Sequence, residues 1–351
     1  MNAPHDLHTH RPFRVGVLDQ SPIISGSSPA DAVRETVYLA QMAEDLGFHR
    51  YWLAEHHSMS ALADPCPEIL LARVGAATRT IRIGTGGVML PYYSPLKIAE
   101  VFRMLDALYP DRIDLGVGRA PGGDMRTAQA MANGQYLQTE NFPQQVLDVR
   151  GFMAGNLPPD HPFARVRAMP AGTTMPQLWM LGSSDYGGLL AADLGLRFAF
   201  AHFISAQGGD AVGRAYRDRF KPSDSLAAPH SAVCVFVVCA PTHAEAERLA
   251  ACIDLRRLHM ARGIDAPVPS IEEAERHVYD PRERAYVESQ RPRLIHGDPG
   301  EVREKLDLLR ARFEADELLV LTITGDYASR RLSYQLVADA FDLTTQAPLV
   351  S

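Results

Sequence analysis

Several short strings in this chain carry residues that could do chemistry. Glu55-His56-His57 sets two imidazoles side by side. Neighbouring side chains on an extended segment point to opposite sides, so only one of the two can face a given site. Three readings are open for them: metal ligand, structural pair, or one general acid/base titrating near neutral pH. The hydrolase-type metal reading lacks its partner pair, because Asp19 and Gln20 stand at the end of the first strand, and no metal is expected. Gly84-Thr85-Gly86-Gly87 places paired glycines inside a β-branched run. Glycine there sacrifices backbone entropy and packs nothing, so Gly86-Gly87 marks either a bulge or the close approach of a flat ligand.

Two further strings point to an anion. Gly116-Val117-Gly118-Arg119-Ala120-Pro121-Gly122 has the spacing G-x-G-x-x-x-G, one residue too long for a dinucleotide loop. What remains is Arg119 emerging beside small residues, a guanidinium suited to an anionic group. Leu181-Gly182-Ser183-Ser184 precedes a helix, where backbone N–H groups and both hydroxyls can cradle phosphate. The plainer alternative is that Ser184 only caps the helix. Asp185 suits the helix dipole but would repel phosphate if turned inward.

The elements that must position these residues alternate. Strands are expected at Arg14–Leu18, Tyr51–Glu55, Ile81–Met89, Ile113–Val117, Gln177–Leu181, Phe198–Phe203, Ala232–Cys239 and Glu317–Ile323. Helix starts include Ser28-Pro29-Ala30-Asp31, Pro67-Glu68 and Ser94-Pro95, with further helices over 185–194, 210–220, 242–261, 299–313 and 328–341. Nearly continuous apolar strands covered on both faces, each followed by a helix, fit a closed parallel (βα)8 TIM barrel better than an open doubly wound sheet. A single barrel is expected over 14–345, behind a flexible tail at 1–13 that carries His5, His8 and His10. Two segments break the rhythm: a proline-rich excursion at 156–176 after strand 4, and a polar one at 263–293 after strand 7 that could serve as a lid. In such a barrel the site forms at the carboxyl ends of the strands, where the strings above fall.

Composition narrows the classes. The 351 residues are 46% hydrophobic and 22% charged, with net charge −7 and mean hydropathy −0.13. No basic block suggests nucleic acid, and no apolar run approaches a membrane span, so a cytoplasmic protein is expected. Cys66, Cys234, Cys239 and Cys252 form no C-x-x-C pair and no disulfide framework.

The strings Trp52-Leu53-Ala54-Glu55-His56-His57, Gly84 through Pro91, Ser94-Pro95 and Arg112 through Gly122, in that order, resemble the bacterial luciferase-like flavin monooxygenases, in particular their single-chain members with a G-R-A-P-G motif. The resemblance runs from Arg14 to about Phe341. It implies a barrel binding reduced FMN at its mouth, with a cis peptide at Gly86-Gly87 against the flavin ring. Gly118 matches a position facing the flavin that is a reactive cysteine in the light-emitting subunit. Arg119, Ser183 and Tyr186, with Ser184 adjacent, fall on phosphate-binding positions, and His56 on the proposed catalytic base. The implied chemistry joins reduced flavin to dioxygen as a C4a-hydroperoxide and oxygenates a small, hydrophobic or aldehyde substrate entering near Tyr92, His202 and the lid. A homodimer is implied as well. With no dinucleotide fingerprint in the chain, a separate flavin reductase is expected to deliver reduced FMN. The competing readings are a flavin-binding protein without turnover, a deazaflavin-dependent oxidoreductase and, more distantly, a metal-dependent barrel hydrolase.

Overall fold

The computed structural model describes residues 13–119, 123–135, 137–172 and 174–344. The N-terminal histidines and Ala120, Pro121 and Gly122 of the glycine-rich string lie outside them. The strands are β1 (Arg14–Asp19), β2 (Arg50–Leu53), β3 (Arg82–Met89), β4 (Ile113–Gly118), β5 (Gln177–Gly182), β6 (Arg197–Ala201), β7 (Ser231–Cys239), β8 (Leu294–Gly297) and β9 (Glu317–Leu321). All pairings are parallel. β1 to β7 run in order, β9 joins β7, and β9 returns to β1, which closes an eight-stranded (βα)8 barrel. β8 is additional: it pairs with the upper half of β7, from Phe236↔Leu294 to Cys239↔Gly297.

The helices are α1 (Pro29–Asp45), α2 (Pro67–Ala77), α3 (Pro95–Leu108), α4 (Met125–Met131), α5 (Phe142–Ala154), α6 (Asp185–Leu194), α7 (Gly209–Arg219), α8 (His243–Ala261), α9 (Ile271–Arg276), α10 (Pro281–Gln290), α11 (Pro299–Phe313) and α12 (Tyr327–Ala340). Their starts follow local chemistry. Ser28 accepts from Asp31 N–H at 3.2 Å while Asp31 accepts from Ser28 N–H at 2.9 Å, a reciprocal cap ahead of α1. The eight expected strands are present with shifts of one or two residues at their ends. β8, α4, α5, α9 and α10 are not among the expected elements: β8 is four residues long, α4 and α5 lie between Arg119 and the proline-rich stretch, and α9 and α10 lie within the 263–293 excursion.

Both excursions are anchored. The 156–176 segment lies on α3, where Arg103 donates to Pro170 O at 3.2 Å and Thr174 donates to Asp106 at 2.6 Å. The 263–293 segment forms α9 and α10, which pack on α8 around Cys252, Leu255, Leu258 and Ala274. It is stitched to the loops after β1 and β2 through Ser25 N–H to Val268 O at 2.8 Å and Ser60 Oγ to Asp265 at 2.7 Å.

Strand alternation divides the core. Outward residues such as Val17, Leu53, Val117 and Val235 pack on helices, while Leu18, Trp52, Trp179, Leu319 and Leu321 fill the barrel. At the amino end of the barrel interior lies a buried ionic group. Arg50 donates to Glu317 at 2.7 and 2.9 Å and pairs with Asp114, which also accepts from Arg82 at 2.7 Å and from Trp52 Nε1 at 2.9 Å. Burial raises the Glu317 carboxyl, but Arg50 and the hydrogen bond from His230 outweigh it and hold the group far below its ordinary range. Removing one partner from such a cluster leaves uncompensated buried charge. Arg50→Met is expected to cost about 3–5 kcal/mol, read as a lower urea midpoint. Adding Glu317→Gln and Asp114→Asn should recover part of that loss, and an unchanged midpoint for Arg50→Met would contradict this account.

Candidate active site

A cleft of about 190 Å³ opens at the carboxyl ends of the strands. Its walls include His56 after β2, Gly86 and Gly87 in β3, Gly118 and Arg119 at the end of β4, and Ser183, Ser184 and Tyr186 after β5. Residues far apart in sequence meet because neighbouring parallel strands all deliver their carboxyl ends to one face.

The floor is built for close approach. The Gly86–Gly87 peptide is cis. A Cβ on Gly86 would meet Leu18 Cδ1 at 2.7 Å, and one on Gly87 would meet Gly116 O and Leu181 Cδ1, each at 2.7 Å. At Gly87 the Gly116 carbonyl bars a side chain, and at Gly86 one would have to displace Leu18, so the backbone itself forms the surface. Gly118 is different: a Cβ there would meet nothing nearer than Met89 Sδ at 3.8 Å, so the position is roomy. The register of β3 against β4 shifts between Thr85 and Val88, so a bulge and a glycine floor occur together.

One end of the cleft is polar. The Arg119 guanidinium lies 4.1 Å from the centre of the Tyr186 ring and has no carboxylate partner among the described residues. Ser184 occupies the N-cap position of α6 with extended backbone, yet its side chain makes no capping hydrogen bond. Simple capping is therefore not what its hydroxyl does. Asp185 folds its carboxylate onto Tyr186 N–H at 2.9 Å, taking one helix donor. The remaining donors, with Arg119 one strand away, can bind a phosphate or another anion.

At the other end the two histidines separate. His56 lines the cleft and turns Nδ1 to Asp64, 3.2 and 3.3 Å from the two carboxylate oxygens. Asp64 is buried, and burial pushes its carboxyl up to about 6. His57 instead contacts Glu55 at 2.7 Å. Glu55 also accepts from Tyr93 Oη at 2.6 Å and from Met89 N–H at 2.9 Å, which pins the end of β3. His56 and His57 share no ligand set for a metal among the described residues.

Two expected residues are not brought to the cleft lining. Tyr92 packs edge-on against His57, with ring centres 5.9 Å apart. His202 is buried against Phe313, with ring centres 6.0 Å apart and Nδ1 lacking a hydrogen-bond partner among the described residues. Residues 263–293 do not line the cleft either. The start of α5 contributes Phe142 and the loop after β6 contributes Phe203 and Ile204, an apolar wall, while the end of β1 contributes Gln20, whose buried Oε1 has no hydrogen-bond partner among the described residues. Gln20 was legible only as a residue at the end of β1, and Asp64 carried no signal at all. Asp64 enters through its contact to His56, which no local spacing encodes.

These features place the chain among barrel enzymes whose site is built from strand ends. Residues 13–313 match the luciferase-like monooxygenase family, and the chain belongs to that family, a class of flavin-dependent monooxygenases. It is 43% identical over 329 residues to the uncharacterised protein YceB of Bacillus subtilis, covering 94% of this chain and 99% of that one. It is 36% identical to the N-acetyl-S-alkylcysteine monooxygenase of the same organism, covering 93% of this chain and 98% of that one. Its fold superposes on the crystal structure of apo-MsnO8 with a TM-score of 0.88 at 36% identity, covering 95% of this chain and 100% of that one. Among the described residues, no helix is long and apolar enough to cross a membrane.

Burial pushes the His202 imidazole down to about 4 from its ordinary 6.5, and Arg312 adds to the shift. Below about pH 6.5 the unfolded chain takes up a proton that the folded chain refuses until pH nears 4, so stability falls through that window as the medium is acidified. His49 behaves in the same sense. His202→Phe is expected to narrow the gap in Tm between pH 7 and pH 5 by roughly 2–4 °C without closing it. A gap as wide as the parent's would show that His202 is protonated in the folded chain.

Proposed function

We propose that the cleft binds reduced FMN and uses it with dioxygen to oxygenate a small, apolar organic substrate. One observation carries this reading. A glycine floor without clearance for a Cβ, an Arg119 stacked on Tyr186 with no carboxylate partner among the described residues, a Ser184 hydroxyl that makes no capping bond, and His56 in the lining share a single cleft. Those residues fit a flat ring system with a phosphate tail. Gly86, Gly87 and Gly118 would lie against the ring, Arg119, Ser183, Ser184 and Tyr186 would hold the phosphate, and the unpaired Gln20 Oε1 would accept from a ring N–H. Bound reduced flavin supplies the electrons and activates dioxygen. The chain's own residues do the rest. Phe142, Phe203 and Ile204 exclude water and receive the apolar substrate, and His56 accepts a proton through Nε2.

The glycine-rich string lacks dinucleotide spacing, so electrons are proposed to arrive on flavin reduced by a separate reductase. Purified chain, oxidised FMN and excess NADH or NADPH mixed anaerobically should then show no bleaching until a reductase is added. Bleaching by this chain alone would make it self-sufficient. By resemblance it works as a homodimer, which light scattering at micromolar concentration checks.

The phosphate assignment has its own test. Arg119→Ala should weaken FMN by roughly 10–100-fold while leaving riboflavin nearly unchanged, because a charge-assisted hydrogen bond is worth about 1.5–3 kcal/mol. Equal losses for both ligands would move Arg119 to loop support. Tighter binding of a deazaflavin than of FMN in the parent would favour the deazaflavin reading.

His56→Ala should keep FMN affinity and lower substrate turnover by about 10²-fold or more. Turnover is read as oxygenated product formed from reduced FMN and dioxygen in rapid mixing. Undiminished turnover in His56→Ala would place His56 in a structural role, and FMN binding without product from any substrate offered would favour a carrier.

A further inference from the structure

We propose that Asp64 is a positioning residue that holds the His56 ring with its proton on Nδ1, so that Nε2 faces the cleft as a bare acceptor. This rests on the reading of the cleft given above, and its carrier is a contrast between two buried carboxylates.

Glu44 shows what a structural carboxylate looks like in this fold. It accepts from the backbone N–H groups of Arg79, Thr80 and Ile81 at 2.8, 2.6 and 3.0 Å and ties down the turn between α2 and β3. Asp64 makes no such set. It is 1% exposed, and among the described residues the His56 ring is the one side chain bonded to its carboxylate. The loop that carries Asp64 does not need that carboxylate for its course. Ile23 N–H donates to Ala61 O at 2.8 Å, Ala63 N–H donates to Ser21 O at 3.0 Å, and Pro22 bridges Leu62, so backbone bonds already fasten it to the loop after β1. The second fastening, His56 N–H to Asp64 O at 3.3 Å, sets the two residues face to face.

An ionised carboxylate can only accept, so Nδ1 must be the donor, and in the neutral ring the lone pair then lies on Nε2. Without that acceptor the ring proton is free to sit on either nitrogen. The charges around Asp64 come from three elements: His56 after β2, Asp19 at the end of β1, and Arg256 on α8. Asp19 disfavours ionisation of Asp64, and burial does so more strongly. The His56 ring and its hydrogen bond oppose both, and Arg256 lies within reach: its guanidinium is buried, its Nε has no hydrogen-bond partner among the described residues, and Asp64 is the charged group acting on it. With the carboxyl raised to about 6, Asp64 is ionised at and above neutral pH, where His56 is to act as a base.

The test reads the ring directly, on the full chain without flavin. In 15N-histidine spectra at neutral pH, with His56 assigned through His56→Gln, the parent should show Nδ1 protonated and Nε2 bare. In Asp64→Asn the amide N–H₂ can donate to Nδ1, and the proton should move to Nε2. In Asp64→Ala the two forms should mix. Circular dichroism and thermal melts establish that each variant is folded, and Asp64→Ala decides the matter if Asp64→Asn is not. Titration with FMN should give parent-like affinity, while turnover in Asp64→Asn falls by about 10²-fold with little change in substrate KM. An Nδ1-protonated ring in every folded Asp64 variant overturns the proposal. A ring form that follows Asp64 in a chain that oxygenates nothing upholds the positioning and removes the functional reading instead.

Discussion

The structure depends first on one buried guanidinium. Arg50 sits inside the amino end of the barrel between Asp114 on β4 and Glu317 on β9, so a single side chain ties three non-adjacent strands across the interior. Room for it is reserved by Gly16, where a Cβ would meet Arg50 Cγ at 2.6 Å. A buried ion pair adds little net stability over a well-packed apolar core, because desolvation offsets attraction. What it adds here is registration. A fork that must satisfy two carboxylates accepts one arrangement of β2, β4 and β9, and a slip by one residue would turn Asp114 out of the barrel.

That arrangement is passed upward by packing. The Arg50 guanidinium lies 4.8 Å from the centre of the Trp179 ring, and Trp52, held by its bond to Asp114, meets Trp179 edge-on at 5.1 Å. Trp52 and Leu18 then form the layer on which Gly86 rests without clearance for a Cβ. The glycine floor of the cleft is therefore the top of a stack whose base is the ionic cluster. A change in the base would be felt at the floor, since close-packed interiors transmit displacement rather than absorb it.

Much of this was legible in the sequence, and the remainder was not for a physical reason. The eight barrel strands were readable because each is a run of apolar residues closed by a turn signal, and Gly86-Gly87, Arg119, Ser183 and Ser184 were readable because strand ends converge in a barrel. These are local patterns combined with one global rule. Arg50, Asp114 and Glu317 were invisible as a group: each is a lone charged residue at or near the start of its own strand, and Arg50 and Glu317 are 267 positions apart. Asp64 was invisible likewise, since an Asp-Pro step in a loop reads as turn chemistry. α4 was not legible because it is only seven residues long, and α5 because its N-cap Asn141 makes no side-chain capping bond. Tyr92 and His202 show the converse. The resemblance put them at the substrate entrance, whereas the cleft lining leaves them out: Tyr92 lies against His57 and His202 against Phe313.

The adjacent histidines bring these threads together. His56 and His57 have the same side chain and consecutive positions, so nothing intrinsic separates them. The alternation of an extended segment sends them to opposite sides, and each then finds a different carboxylate. His57 meets Glu55, which is engaged with Tyr93 and with the backbone of Met89, so that pair is spent on holding the end of β3. His56 meets Asp64, whose carboxylate bonds no other side chain among the described residues, and its second ring nitrogen is left to the cleft. In the role proposed for His56, what separates it from His57 is what else the partner carboxylate must do. A partner already saturated by backbone and tyrosine donors fixes geometry. A partner with one donor to satisfy is what the proposal asks to fix the position of a proton.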